Sequence, residues 1–308
     1  MATTSNAHER TPLQGASQNP RALHWAALIA GNVALALGPW SVRLADSGPV
    51  SAGFWRLVLA LPIIWLIALS ARQPVLGVPR RTAWLVALGA IAFALDLASW
   101  HIGIERTRLA NAPLFGNAGS IILMVWGLIA ARRAPSGREG VGVFAAITGA
   151  GILLGRSMEI SATTFIGDLF CLAAGIFYAF YLLPAQRARA VLGSWFVLLL
   201  VSLTAAPILL GMAIAAGEPV LPGAAGWTPI LVLALSSQVI GQGLLVFSLR
   251  NFPPLVIGMA LLTQPAIAAT VGWLAFGELL EPLDIFGMVL VGAALVLARA
   301  PGKAGRVR

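Results

Sequence analysis

Charge is scarce in this 308-residue chain: 10% of residues are Asp, Glu, Lys or Arg, against about 25% in an ordinary soluble domain. Too few are present to cover a water-facing surface. With 59% hydrophobic residues and a mean hydropathy of +0.89, the chain reads as an all-α polytopic membrane protein whose surroundings are a lipid bilayer. Cysteine is scarcer still. Cys171 is the single one and sits in an apolar run, which excludes an intrachain disulfide and a thiolate metal cluster. Lysine occurs once, at Lys303, so no phosphate-binding loop with its required lysine can be assembled, and ATP hydrolysis by this chain is excluded. A net charge of +9 would point to nucleic acid in a soluble protein, but here the arginines lie in short stretches between apolar segments. No nucleic-acid partner is expected, nor a cofactor, a metal or a protein partner.

What is present is length and apolarity in repeated blocks. A spanning helix needs about 20 mainly apolar residues. Ten segments qualify: 22–42, 50–70, 82–104, 109–131, 140–157, 164–186, 194–216, 228–249, 254–275 and 282–299. Shifting the chain by about 143 residues lays Ile147–Leu154 on Leu290–Leu297, with Gly149 on Gly292 and Pro113 within one residue of Leu255, next to Pro254. Two five-helix repeats follow, over 22–157 and 164–299, flanked by tails 1–21 and 300–308. Because five is odd, the second repeat must enter the bilayer from the side on which the first leaves it, and the pair is inverted. The N-terminal tail lacks the order of a cleaved signal peptide and is expected to be disordered.

Orientation follows from the basic residues. Arg43, Arg106, Arg108 and Arg156 fall in one set of alternate connections, and fifteen Lys and Arg fall in the other, with Arg56 inside a segment. Cytoplasmic loops are the enriched ones, so both termini are expected in the cytoplasm of a bacterial-type inner membrane. Asp46, Glu105, Glu159, Glu218, Glu278, Glu281 and Asp284 fall mostly on the opposite side.

Within the segments the ionisable groups are Arg56, Asp96, His101 and Asp168, each costly in hydrocarbon. Asp168 opens the sixth segment, where a carboxylate caps orphan amides and meets the positive end of the helix dipole. Arg56 lies about 9 Å into the second segment, shallow enough to snorkel to headgroups. Asp96 lies about 13 Å below Glu105 and has no local cap, so it must face protein or water, as a functional group or as the ion-pair partner of Arg56 or Arg43. Ser99 and Trp100 share its helix face. His101 is either a hydrogen-bonded packing residue or a pH-sensing one.

Uncharged polar residues form stripes. Pro113, Asn117, Ser120 and Met124 share a face of the fourth segment, and Gln238 and Gln242, with Ser237 adjacent, mark the eighth. Met259 and Thr263 share a face of the ninth, where Gln264 precedes Pro265, a residue that frees a backbone carbonyl in mid-membrane. Tyr178 and Tyr181 share a face of the sixth, and Asn32 with Pro39 marks the first. Such residues also hold helices together. On five different helices, they point to a central cavity, with Asn32, Asp96, Trp100, His101, Asn117, Ser120, Tyr178, Gln238, Gln242, Met259, Thr263 and Gln264 as candidate substrate-binding residues.

The run Leu255–Leu297, with Gln264-Pro265, Gly277-Glu278, Gly287 and Gly292, resembles the last two helices of the EamA repeat of the drug/metabolite transporter superfamily. Phe54-Trp55-Arg56-Leu57, Leu95-Asp96 through Trp100, and Gly167-Asp168-Leu169 are further matches. The likeness covers nearly all of 22–299 and is closest to YddG-type exporters of aromatic and other amino acids. It implies ten helices and a cavity formed by the first, third, fourth, sixth, eighth and ninth. The first repeat departs from the pattern, with Ile122 where the second has Pro265, so the fourth helix is expected to be straighter than the ninth.

The expected function is therefore a secondary transporter exporting small metabolites, namely neutral or aromatic amino acids, by alternating access, and not an enzyme. Apolar and aromatic walls hold a side chain while amides and hydroxyls hold the ends of a zwitterion. The alternatives are an intramembrane aspartyl protease built on Asp96 and Asp168, which requires the two carboxylates to share a proton, and a channel, for which no ring of like charges is visible.

Overall fold

The computed structural model describes residues 22–73, 77–107, 111–132, 134–157, 161, 164–276 and 279–299. The two expected tails, Gly277-Glu278, Arg108, Arg133 and Glu159 lie outside the described residues. Helix accounts for 83% of the described residues, and no strand occurs among them.

The first apolar run makes α1 (Ala22–Ala36) and α2 (Gly38–Leu44), parted at Leu37 where Pro39 enters the first turn of α2. The unbroken α3 (Pro49–Ser70) and α4 (Arg80–Arg106) follow. The fourth run divides at Asn117 into α5 (Asn111–Gly116) and α6 (Ala118–Ala131). α7 (Gly137–Ser157) starts from a reciprocal cap: the Glu139 carboxylate accepts from the Ser136 N–H at 2.8 Å, and the Glu139 N–H donates to the Ser136 hydroxyl at 3.3 Å.

In the second half, α8 (Phe165–Ala188) and α9 (Ser194–Ala215) are again unbroken. α9 closes through Gly217, whose φ of +69° turns the chain so that the Glu218 N–H reaches the Ala213 carbonyl at 3.0 Å. The eighth run is α10 (Trp227–Leu233), a π-helical stretch (Ala234–Gln242) and α11 (Gly243–Ser248). The ninth breaks between α12 (Pro254–Leu261) and α13 (Gln264–Phe276), and α14 (Pro282–Arg299) ends the described chain.

Six of these stretches are long and apolar enough to cross a membrane, and Ala118–Ala131, Pro254–Ile267 and Pro282–Leu297 are shorter apolar helices. Exposed Trp65, Trp84, Trp126 and Trp273 and many exposed leucines and isoleucines give the outer surface the apolar character that hydrocarbon requires. Inside, Leu57, Phe93, Tyr181, Leu198 and Leu209 are fully buried. The principal packings are α3 on α9, α4 on α8, α6 on α12, α7 on α14, and α1 on the π-helical stretch and α11. Small residues set several of them. A Cβ on Gly149 would lie 2.6 Å from the Gly287 carbonyl oxygen, so α7 and α14 touch backbone to backbone.

The fourth run, expected to be straighter than the ninth, is itself broken. It is interrupted at Asn117, whose amide donates to the Pro113 carbonyl at 2.7 Å while its own carbonyl takes the Ser120 N–H at 2.9 Å. A side chain that back-bonds to the helix competes with the i→i−4 ladder. The interruption in the second half has a different cause, since Pro265 supplies no N–H.

Candidate functional site

Every interruption of regular helix borders one cavity. Leu35 and Gly38 flank the α1–α2 break, Pro113, Gly116 and Asn117 line it from the α5–α6 break, Ser237 and Gln242 from the π-helical stretch, and Gln264 from the α12–α13 break. Arg56 of α3, Asp96, Leu97 and Trp100 of α4, and Gly175 and Tyr178 of α8 complete the wall. Irregular backbone at membrane depth is tolerated where it lines such a space. The cavity measures about 90 Å³, against the ~10–15 Å³ that a single water needs by the same kind of measure. It accommodates several waters or a small solute.

Three polar clusters frame it. Asn32 of α1 donates through its amide to the Ala260 carbonyl and the Thr263 hydroxyl, and accepts from the Gln264 amide at 3.0 Å, which ties α1 to the α12–α13 break. The Gln242 amide donates to the Tyr178 hydroxyl at 3.1 Å, and the Tyr181 hydroxyl points to the Gln242 carbonyl oxygen at 3.5 Å, with Tyr181 stacked at 4.5 Å on Phe93. Arg56 donates from Nε to the Gln238 carbonyl oxygen at 3.2 Å, and the Gln238 amide is in turn held by the Ser202 hydroxyl at 3.0 Å.

Two charges remain open to the cavity. The side chain of Arg56 has no other hydrogen bond among the described residues, and Asp96 makes neither a hydrogen bond nor an ion pair with any described residue. The two opposite charges attract one another across the cavity without forming a direct ion pair, and charges buried in this way still call for water or a charged ligand to complete their hydrogen bonding.

The family model for the EamA-like transporter family matches residues 22–155 and again 165–300. This chain belongs to the EamA-like transporter family. It is 27% identical over 274 residues to the threonine/homoserine exporter RhtA of Escherichia coli, covering 78% of this chain and 91% of that one. It is 26% identical over 286 residues to the RhtA of Salmonella typhimurium, covering 80% and 95%. A transporter of Archaeoglobus fulgidus matches 144 residues at 25% identity, 46% of this chain and 48% of its own. A crystal structure superposes with a TM-score of 0.70 over 90% of this chain and 95% of its own at 14% identity, a likeness of fold. The EamA-family chain is thus a multi-pass membrane transporter of small metabolites, in a family whose relatives are transporters.

Of the twelve residues expected at the site, the fold brings Asp96, Trp100, Asn117, Tyr178, Gln242 and Gln264 to the wall of the cavity. Asn32 and Thr263 stand behind Gln264, in the wall of a second, apolar crevice of about 260 Å³ beside α14. Gln238 lies behind Arg56 and fixes it. Ser120 donates from its hydroxyl to the Asn117 side-chain oxygen at 3.4 Å, and the Met259 sulfur lies 3.6 Å from where a Cβ on Gly142 would stand; neither side chain is in the cavity wall. His101 is fully buried against Gly53, with Nδ1 2.6 Å from the Leu97 carbonyl oxygen, and does not reach the cavity.

Arg56 is the largest correction. Snorkelling to headgroups fails because the side chain is only 4% exposed and turns inward to Gln238. Depth along the helix, the only quantity used for it, does not say which face a residue occupies. The second segment therefore joins the six implied by the resemblance. Asp168 stands in the first turn of α8 and also accepts from the Thr107 hydroxyl at 2.5 Å, tying the end of α4 to the start of α8. It does not line the cavity with Asp96, and the protease dyad has no geometric basis.

Proposed function

We propose that this chain exports small neutral amino acids across a bacterial-type inner membrane, and that it recognises them as zwitterions. The observation that carries the reading is the joint presence in one cavity of Arg56 and Asp96, a guanidinium fork and a carboxylate that attract one another without a direct ion pair and keep hydrogen-bonding capacity for a ligand. Arg56 receives the α-carboxylate, which matches its planar pair of donors. Asp96 receives the α-ammonium. Leu35, Leu97 and Trp100 surround a short side chain. The RhtA relatives favour threonine and homoserine over the larger aromatic amino acids, and the small cavity agrees.

The reading includes ten spans in two inverted halves, with both termini cytoplasmic. Numbering the ten stretches in order and exchanging each with the one five places on leaves the packing pattern unchanged: second on seventh, fourth on ninth and fifth on tenth map onto themselves, and third on sixth maps onto eighth on first. The loops follow the same rule. The Glu218 carboxylate after α9 accepts from the Ser51 N–H at the start of α3 at 3.0 Å, and the Gln73 carbonyl after α3 accepts from the Phe196 N–H at the start of α9 at 3.1 Å. Glu218 stands 145 residues after Gln73, and Phe196 145 after Ser51. Likewise Arg43 donates to the Ile104 and Thr107 carbonyls, while Gln186, 143 residues on, donates to the Leu249 and Phe252 carbonyls at 2.8 Å. Each contact joins loops that ten spans put on the same side, with the Glu218 and Arg43 contacts outside and the Gln73 and Gln186 contacts inside. Rocking of one half against the other then breaks one set while keeping the other, which is alternating access about a midplane site.

The test is uptake of labelled threonine, homoserine, methionine and phenylalanine into proteoliposomes. Saturable threonine flux is expected, reduced at least tenfold by Arg56→Gln and by Asp96→Asn. Absence of saturable flux for every amino acid would end the assignment, and undiminished flux in both variants would remove the zwitterion clamp.

A further inference from the structure

A hydroxyl in the cavity wall is left without a partner. Ser237 is 1% exposed, and its Oγ has no hydrogen-bond partner. Its neighbours in similar settings behave otherwise. The hydroxyl of Ser236, one residue earlier, donates to the Val232 carbonyl at 2.7 Å, that of Ser248 to Leu244 at 2.8 Å, and that of Thr270 to Ala266 at 2.8 Å. Back-bonding to the carbonyl four residues earlier is thus the default for hydroxyls on these helices. Ser237 departs from it, although Ser236 in the same π-helical stretch does not, and it belongs to the cavity lining.

Room has been left for that hydroxyl. A Cβ on Gly38, at the start of α2, would lie 2.8 Å from Ser237 Oγ, so any larger residue at 38 would crowd it. A buried hydroxyl with no partner is destabilising unless something else satisfies it. Ser237 is among the residues that line the cavity, and a solute held there can supply the partner.

Resting on the zwitterion reading above, the geometry points to Ser237 as the residue that selects a hydroxyl-bearing side chain on the transported amino acid. Arg56 and Asp96 read the two ends that every amino acid has, and cannot distinguish one side chain from another. Ser237 Oγ both donates and accepts, so it complements an alcohol and leaves a methyl group of the same size unpaired. A site that hydrogen-bonds a substrate hydroxyl rejects the isostere lacking it, because the protein group is then buried unsatisfied. The substrate class is small β- or γ-hydroxy amino acids. Gly38 acts as a positioning residue by keeping the hydroxyl free.

Threonine and valine differ by hydroxyl against methyl, and their kcat/KM ratio in proteoliposomes isolates this contact. The wild-type protein is expected to favour threonine about tenfold or more. Ser237→Ala should bring the ratio close to one, and Gly38→Ala should lower it in the same direction by displacing the hydroxyl. Arg56→Gln should depress threonine and valine together and leave their ratio alone. A Ser237→Ala ratio equal to wild type, with both amino acids still carried, overturns the role of Ser237 and leaves the zwitterion reading standing. Equal loss of both amino acids in Ser237→Ala marks a structural hydroxyl and also overturns it. Failure of the wild-type protein to carry either amino acid overturns both.

Discussion

Arg56 shows how a single side chain changes meaning once its face is known. A guanidinium in a bilayer-spanning helix has two affordable positions, the headgroup layer and a wet interior. Its position near the helix start fits the first, yet the side chain turns to Gln238, which occupies the fork's Nε and leaves the terminal nitrogens free for a ligand. That division of labour yields a prediction. Arg56→Lys keeps the charge but loses both the Gln238 bond and the two-pronged geometry, so KM for threonine should rise about tenfold with kcat less affected. Competition binding to purified protein would measure it, and an unchanged KM would show that only charge matters. Asp96 was legible in the sequence because burial depth alone marks an uncapped mid-helix carboxylate. Ser237 and Gly38 were not, since small residues carry no hydropathy signal and their proximity arises from two segments about 200 residues apart.

At the scale of elements, the helix interruptions and the loop caps divide the work between site and gate. Interruptions at Leu37, Asn117, the π-helical stretch and Leu262–Thr263 all meet at the cavity, where they turn backbone and side-chain polar groups inward. The caps sit at the two ends of the α3–α9 pair. A helix start leaves its first amides without partners, and Glu218 and Gln73 each supply an acceptor from the other half. The two are not equal in strength. Glu218 takes the Val50 and Ser51 N–H groups and the Ser51 hydroxyl, and a carboxylate also faces the positive helix end, whereas Gln73 offers one neutral oxygen. Removing a cap of this kind costs about 1 kcal/mol. Glu218→Ala should therefore favour the outward-open form by several-fold, read as faster labelling of an Asn117→Cys reporter by an impermeant thiol reagent added outside. Gln73→Ala should slow the same reaction by a smaller factor. Changes of the same sign in both variants would separate these caps from gating. The inner face has a further brace: Arg189 bonds the Val246 carbonyl at 3.0 Å, and burial, together with Arg250, lowers its guanidinium to about 10, still cationic at neutral pH.

For the molecule as a whole, membrane character and family were legible in composition and in the motif around Gln264-Pro265, because apolarity is a sum over many residues and survives divergence. The interruption of the fourth run was not legible, since it depends on one amide reaching back one turn. Nor was the relation of the halves at their loops, where Gln73 answers Glu218 and no identity survives. That relation predicts a topology that can be measured. Cys171 is buried, so the natural chain supplies its own unreactive background for cysteine labelling. Ser47→Cys and Ala216→Cys, in connections that carry Asp46 and Glu218 and no basic residue, should react with an impermeant maleimide in intact cells. Ser70→Cys and Ala190→Cys, at arginine-rich connections, should react only after the membrane is opened. Each pair takes one site from each half, 169 residues apart outside and 120 inside. A chain in which the halves ran parallel would carry the second site of each pair to the opposite face, so a split result within either pair would reject the inverted arrangement and with it the exchange of gates that the caps imply.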